Sequence, residues 1–162
     1  MLTSHKIQML QMVNDEGMEW NELLIRIKHE VPKSKVFFCV DTLKYLQKGG
    51  RIGLVSAMLG MSLSIKPIIS CNPDGIYYTA AKAIGRARSI QKVLDLAKDF
   101  ASQAPHSEIA VMNGYAEKDG IATRKRAEAF IVNGIVTVTG QIGAALGVHT
   151  GPGLIGIGVL QR

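Results

Sequence analysis

The chain has 162 residues, 47% of them apolar and 20% charged, which is the size and composition of one globular domain. That excludes intrinsic disorder, a collagen-like repeat and a disulfide-dense miniprotein. Nineteen Lys and Arg against thirteen Asp and Glu leave a net charge of +6, which permits an anionic partner without naming one.

The apolar stretches fall far short of the ~18 residues a membrane span needs. Lys6, Asn14, Asp15 and Glu16 interrupt any early apolar run, so no signal peptide is expected. Ser4 is placed to cap a helix over residues 5–16, and Gly17 to end it. A second helix follows, with Trp20, Leu23, Leu24, Ile27 and Val31 in one apolar stripe, stopped by Pro32. Residues 36–40 read as a buried strand. Asp41 or Thr42 then caps a short helix through Gln47, and Gly49-Gly50 breaks it. The small apolar segment 52–63 predicts another short helix. Residues 64–71 and 76–84 predict two strands, joined by Asn72-Pro73-Asp74-Gly75, which is strong turn chemistry. An amphipathic helix over 86–102 carries Ile90, Val93, Leu94, Ala97 and Phe100 on its buried stripe. A strand over 108–113, a helix over 119–132, a strand over 135–139 and a last strand over 154–160 complete the chain. About five strands, one explicit hairpin and flanking helices predict an α+β fold with a mixed, largely antiparallel sheet.

Cys39 and Cys71 lie in apolar, strand-like runs without C-x-x-C or metal-ligand spacing, so two buried free thiols of a cytoplasmic protein are expected. His5, His29 and His106 have no ligand spacing either and read as surface residues; no metal or cofactor is expected. No complete catalytic set is visible, and the chain is expected not to be an enzyme.

Eight of the seventeen glycines fall between Gly134 and Gly158, a density that suggests tight turns and close backbone approach. The G-x-G-x-x-G of residues 151–156 lacks a following helix and acidic residue, which rejects a dinucleotide site. The stretch 147–153 offers free backbone N–H groups, with His149 and Thr150 as side-chain donors; the alternative is a plain turn with a surface histidine. In Lys48-Gly49-Gly50-Arg51 the diglycine permits close approach and the arginine fork suits a carboxylate or phosphate; the alternative is a helix C-cap with a solvated arginine. Lys82, Arg86, Arg88 and Lys92 gather at a strand-to-helix junction, with Arg86 and Arg88 in a first turn whose dipole disfavours cations. The alternative there is a solvated face. Arg124-Lys125-Arg126 spreads around its helix and reads as solubility charge.

Three stretches, 41–52 (DTLKYLQKGGRI), 63–69 (LSIKPII) and 147–153 (GVHTGPG), in this order and separation, resemble the C-terminal half of the bacterial DegV family of fatty-acid-binding proteins. The match covers nearly the whole chain as a single domain, and the family's N-terminal domain has no counterpart in it. The resemblance implies two α/β domains with a long-chain fatty acid between them, the tail running mostly into the C-terminal one. Ser and Thr groups of the N-terminal domain and an Arg and a His of the C-terminal domain hold the carboxylate. By motif these last two are Arg51 and His149, with Gly50 and Thr150 adjoining. A separate fatty acid kinase then forms the acyl phosphate, and the binding protein performs no chemistry.

Val55, Ala57, Met58, Leu59, Met61, Leu63 and Ile65 follow the arginine closely, an adaptable lining that suits an acyl chain and equally suits ordinary core. Lys82, Arg86 and Arg88 are candidates for docking the kinase. Two other readings remain: a truncated, non-binding or interaction module that forms a homodimer through the face the N-terminal domain would cover, and nucleic-acid binding. Nine aromatic residues and the lack of a helix-turn-helix or comparable motif count against the last.

Overall fold

The computed structural model describes residues 19–162 except Leu63 and the side chain of Leu23. The expected helix over 5–16 lies outside the described residues. The chain divides into two units, Met1–Ser34 and Lys35–Arg162.

In the first unit, helix α1 (Trp20–Glu30) runs into a 3₁₀ turn, Val31–Lys33, with Pro32 in it. Proline lacks the N–H that a continuing helix requires. Of the predicted stripe, Trp20 is 60% exposed, Leu24 and Val31 are exposed as well, and Ile27 is half-buried.

The second unit is built on a six-stranded sheet in the order β3-β2-β1-β6-β4-β5. Its strands are β1 (Ser34–Cys39, beginning at the unit boundary), β2 (Ile65–Cys71), β3 (Tyr77–Ile84), β4 (Ser107–Gly114), β5 (Gly134–Gln141) and β6 (Leu154–Gln161). β2 pairs antiparallel with β1 and β3, and β4 pairs antiparallel with β6 but parallel with β5. The sheet is therefore mixed and largely antiparallel, as expected. At the hairpin, the Ile76 N–H donates to Asn72 Oδ1 at 2.8 Å, and Gly75 takes φ 82°.

Period-2 alternation divides the core. Phe37, Cys39, Ile68, Ile109, Val111, Ile155, Ile157 and Val159 face helices α3 (Arg86–Ala101) and α4 (Glu117–Phe130). The α3 stripe lies where its 3.6 period placed it: Ile90, Val93, Leu94 and Ala97 are buried, and Phe100 is half-buried edge-on to Phe37. Phe38, Val40, Ile69 and Leu154 face the other way, beneath Leu46 of α2 (Lys44–Lys48) and Val55 and Met58 of a 3₁₀ helix, Gly53–Met58.

Three expectations need correction. The segment 52–63 forms only that 3₁₀ helix, because Gly53 at φ 50° and Gly60 at φ 85° bracket it. α2 is capped by neither Asp41 nor Thr42: Leu43 holds the N-cap position without a side-chain cap bond, and Thr42, one residue earlier, accepts the Lys44 N–H through Oγ1 at 3.2 Å. The chain also forms a helix the glycine pattern concealed, α5 (Ala144–Thr150). Glycine weakens helix propensity, but α5 packs against α2, and that tertiary contact overrides the local preference.

Candidate functional site

The site is assembled from the two ends of the second unit. The first motif ends α2 in a Schellman turn: Gly50 N–H donates to the Gln47 carbonyl at 3.1 Å and Arg51 N–H to that of Leu46 at 2.8 Å. Gly50 supplies the left-handed residue, φ 65°. This turn fixes the backbone of Arg51 and leaves its side chain exposed. The guanidinium is near enough to favour the Tyr77 phenolate; burial is the larger influence and raises the Tyr77 pKa overall.

The second motif is α5 and the loop after it. Gly151 closes the helix at φ 71°, its N–H donating to the Gly147 carbonyl at 2.8 Å. Thr150 is buried, and its hydroxyl donates to the Leu146 carbonyl at 3.1 Å.

Three glycines show how closely the motifs interlock. A Cβ on Gly49 would lie 2.1 Å from His149 Nδ1, one on Gly151 2.2 Å from the Tyr45 ring, and one on Gly153 2.2 Å from the Asp41 carboxylate. Real Cβ atoms do not approach other atoms this closely. The His149 ring therefore lies against the turn that carries Arg51, although the two residues are almost a hundred positions apart.

Arg86 joins this construction. Its guanidinium meets Asp41 at 3.1 Å and Asp119 at 2.9 Å, and it donates to the Gly153 carbonyl. The cation at the start of α3 is thus engaged by two carboxylates and a loop carbonyl, which outweigh the helix dipole. Lys82 and Arg88 of the same group are exposed. Arg124 pairs with Glu128 at 2.8 Å along α4.

Of the expected acyl-chain residues, Val55 and Met58 are buried in the second core cluster and Ile65 packs partly against it. Leu59 is 40% exposed, and Leu63 lies outside the described residues. A feature missed in the sequence lies beside them. In β6, Gly156 and Gly158 alternate with Ile155 and Ile157, so the middle of one face of that strand is bare of side chains between Leu154 and Leu160. Ala110 lies directly between Gly158 and Val138 on this face, and Met112 is paired with Gly156 and Gly140. The signal was the run Ile-Gly-Ile-Gly, read only as glycine density.

Among the described residues, no group of three His, Cys, Asp or Glu side chains could hold a metal ion. No helix among them is long and apolar enough to cross a membrane. Cys39 is buried and Cys71 half-buried, and both are free thiols.

The sequence profile described as "Uncharacterised protein, DegV family" matches residues 5–162. The chain belongs to the DegV family. A DegV domain-containing protein of Clostridium acetobutylicum is 43% identical over 134 residues, 79% of this chain and 45% of that protein. One from Streptomyces coelicolor is 36% identical over 134 residues, 80% of this chain and 45% of that protein. Among solved structures, a fatty-acid (stearic acid)-binding protein from Eubacterium ventriosum superposes with a TM-score of 0.81 at 27% identity, covering 96% of this chain and 54% of that one. A fatty-acid-binding DegV family protein from Streptococcus agalactiae gives 0.77 at 25% identity, covering 93% and 53%. This chain spans about half the length of the DegV relatives it matches.

Proposed function

We propose that this DegV chain is the C-terminal, lipid-receiving half of a fatty-acid-binding protein. Arg51 and His149 hold the carboxylate, with the backbone of Gly50 adjoining. Thr150 stands next to them, its hydroxyl proton turned to Leu146. The single observation that carries this reading is the contact of His149 with the Gly49-Gly50-Arg51 turn. It brings the imidazole to the turn from which the exposed Arg51 side chain projects, and an arginine fork, an imidazole and glycine-freed backbone are the donor set a carboxylate needs. Neighbours described as fatty-acid-binding proteins support the choice of ligand.

The tail is received by Val55, Met58, Leu59, Leu63 and Ile65, with the Gly156 and Gly158 stretch of β6 beside them. Each buried methylene contributes about 0.8 kcal/mol before ordering costs, so affinity comes mainly from the tail and orientation from the head group. The chain performs no chemistry in this reading. It presents the carboxylate in the cytoplasm to a fatty acid kinase that forms the acyl phosphate. Docking falls to Lys82 and Arg88, since Arg86 is engaged internally.

Native mass spectrometry of the purified chain tests the ligand. A long-chain fatty acid adduct that is lost or reduced in Arg51→Ala is expected. A ligand-free spectrum, with no uptake of added stearic acid, would reject the reading for this chain.

A further inference from the structure

Two independent observations meet at Gly49. His149 Nδ1 is buried and has no hydrogen-bond partner. A Cβ built on Gly49 would lie 2.1 Å from that nitrogen and almost equally far, 3.1 and 3.2 Å, from Cε1 and Cγ on either side of it. A point so placed lies close to the ring plane, on the axis along which Nδ1 directs either its lone pair or its proton. The corresponding Cα hydrogen of Gly49 therefore points at Nδ1. A proton on Nδ1 would be driven into that hydrogen, whereas a lone pair accepts it as a weak C–H contact. In the neutral ring the proton then sits on Nε2, since one nitrogen donates and the other accepts.

The backbone gives Gly49 no other reason to be glycine. Its φ of −81° and ψ of 2° are open to any residue. Gly50 is the reverse case: φ is +65°, and nothing lies within 4 Å of an added Cβ. One glycine of the pair shapes the chain, and the other makes room.

We propose that Gly49 is a positioning residue for His149. Its missing Cβ seats the imidazole against the end of α2 and holds the neutral ring as the Nε2–H tautomer, so that Nε2–H is the donor to the ligand carboxylate. This rests on the carboxylate reading above, and the tests separate the two.

In the full chain labelled with ¹⁵N-histidine, at a pH where the imidazoles are neutral, long-range ¹H–¹⁵N correlations report the tautomer. The wild type should show His149 as Nε2–H, and Gly49→Ala should lose that pattern. An Nδ1–H ring in the wild type, or a Gly49→Ala spectrum matching it, overturns the proposal. Thermal unfolding supplies a second arm that survives a poorly folded variant. Gly49→Ala should lower Tm in the wild-type background and have little effect in His149→Ala, where the obstructing ring is gone. Equal effects in both backgrounds overturn the proposal. With stearic acid as the probe, Gly49→Ala and His149→Ala should each weaken binding about tenfold, and the double variant no further. If His149→Ala binds like the wild type, the carboxylate reading fails, while the tautomer and the thermal cycle still decide the role of Gly49.

Discussion

Replacing Arg86 with alanine should loosen the loop that carries the second motif, and the size of the effect follows from its three partners. The Arg86 side chain is 27% exposed, against 57% for Asp41 and 46% for Asp119. Half-exposed carboxylates are well solvated, so each ion pair contributes only about 0–1 kcal/mol. The bond to the Gly153 carbonyl has a charged donor and adds about 1.5–3 kcal/mol. These contributions share one guanidinium and do not simply add, so a loss of about 2–4 kcal/mol is expected. In urea, with a slope of about 2 kcal/mol/M, the midpoint should fall by roughly 1–2 M. Arg86→Lys should recover less than half, because one ammonium cannot span acceptors in three directions as the fork does. Salt should erode only the ion-pair share. A midpoint for Arg86→Ala within error of the wild type, or full recovery by lysine, would show that the cluster does not hold the loop.

Gly151→Ala meets two obstacles: a backbone at φ 71°, ψ 179°, worth about 1–3 kcal/mol of strain, and overlap with the Tyr45 ring, worth about 1–3 kcal/mol more. Chemical denaturation should show Tyr45→Ala relieving the second part and not the first. Leu46→Ala empties a fully buried position in the second core cluster and should cost about 2–5 kcal/mol; a much smaller loss in the same assay would mean that α2 is not anchored there. Burial raises the Cys39 thiol above its ordinary value of 9.0, against smaller opposing influences from Ser89 and Arg86. A raised folded value favours the neutral thiol, so its stabilisation is complete below pH 9.0 and is lost as pH rises through the folded value. Cys39→Ala should flatten the fall in stability above pH 9, and an unchanged pH profile would refute the linkage.

What the sequence determined by itself is local and periodic. Asn72 to Gly75 encode their turn in four residues, because an Asx side chain and a positive-φ glycine suffice to close it. The 3.6-residue spacing of Ile90, Val93, Leu94 and Ala97 commits α3 to the sheet, and the continuous apolar run from Val36 to Val40 commits β1 to being buried on both faces. The motifs around Arg51 and His149 were legible too, as glycine-freed backbone beside donors. Their meeting was expected only from the family resemblance, because it is a contact across almost the whole chain, and no periodicity reports a tertiary approach. The same limit hid α5. Its glycines argue for a turn until α2 packs against it and supplies what propensity lacks. Arg86 looked misplaced at a helix N-terminus for the same reason, since Asp41, Asp119 and the Gly153 carbonyl come from three distant segments. Only the folded chain brings them within 3.1 Å or less of one guanidinium, and only there does the bare Cα of Gly49 meet the His149 ring.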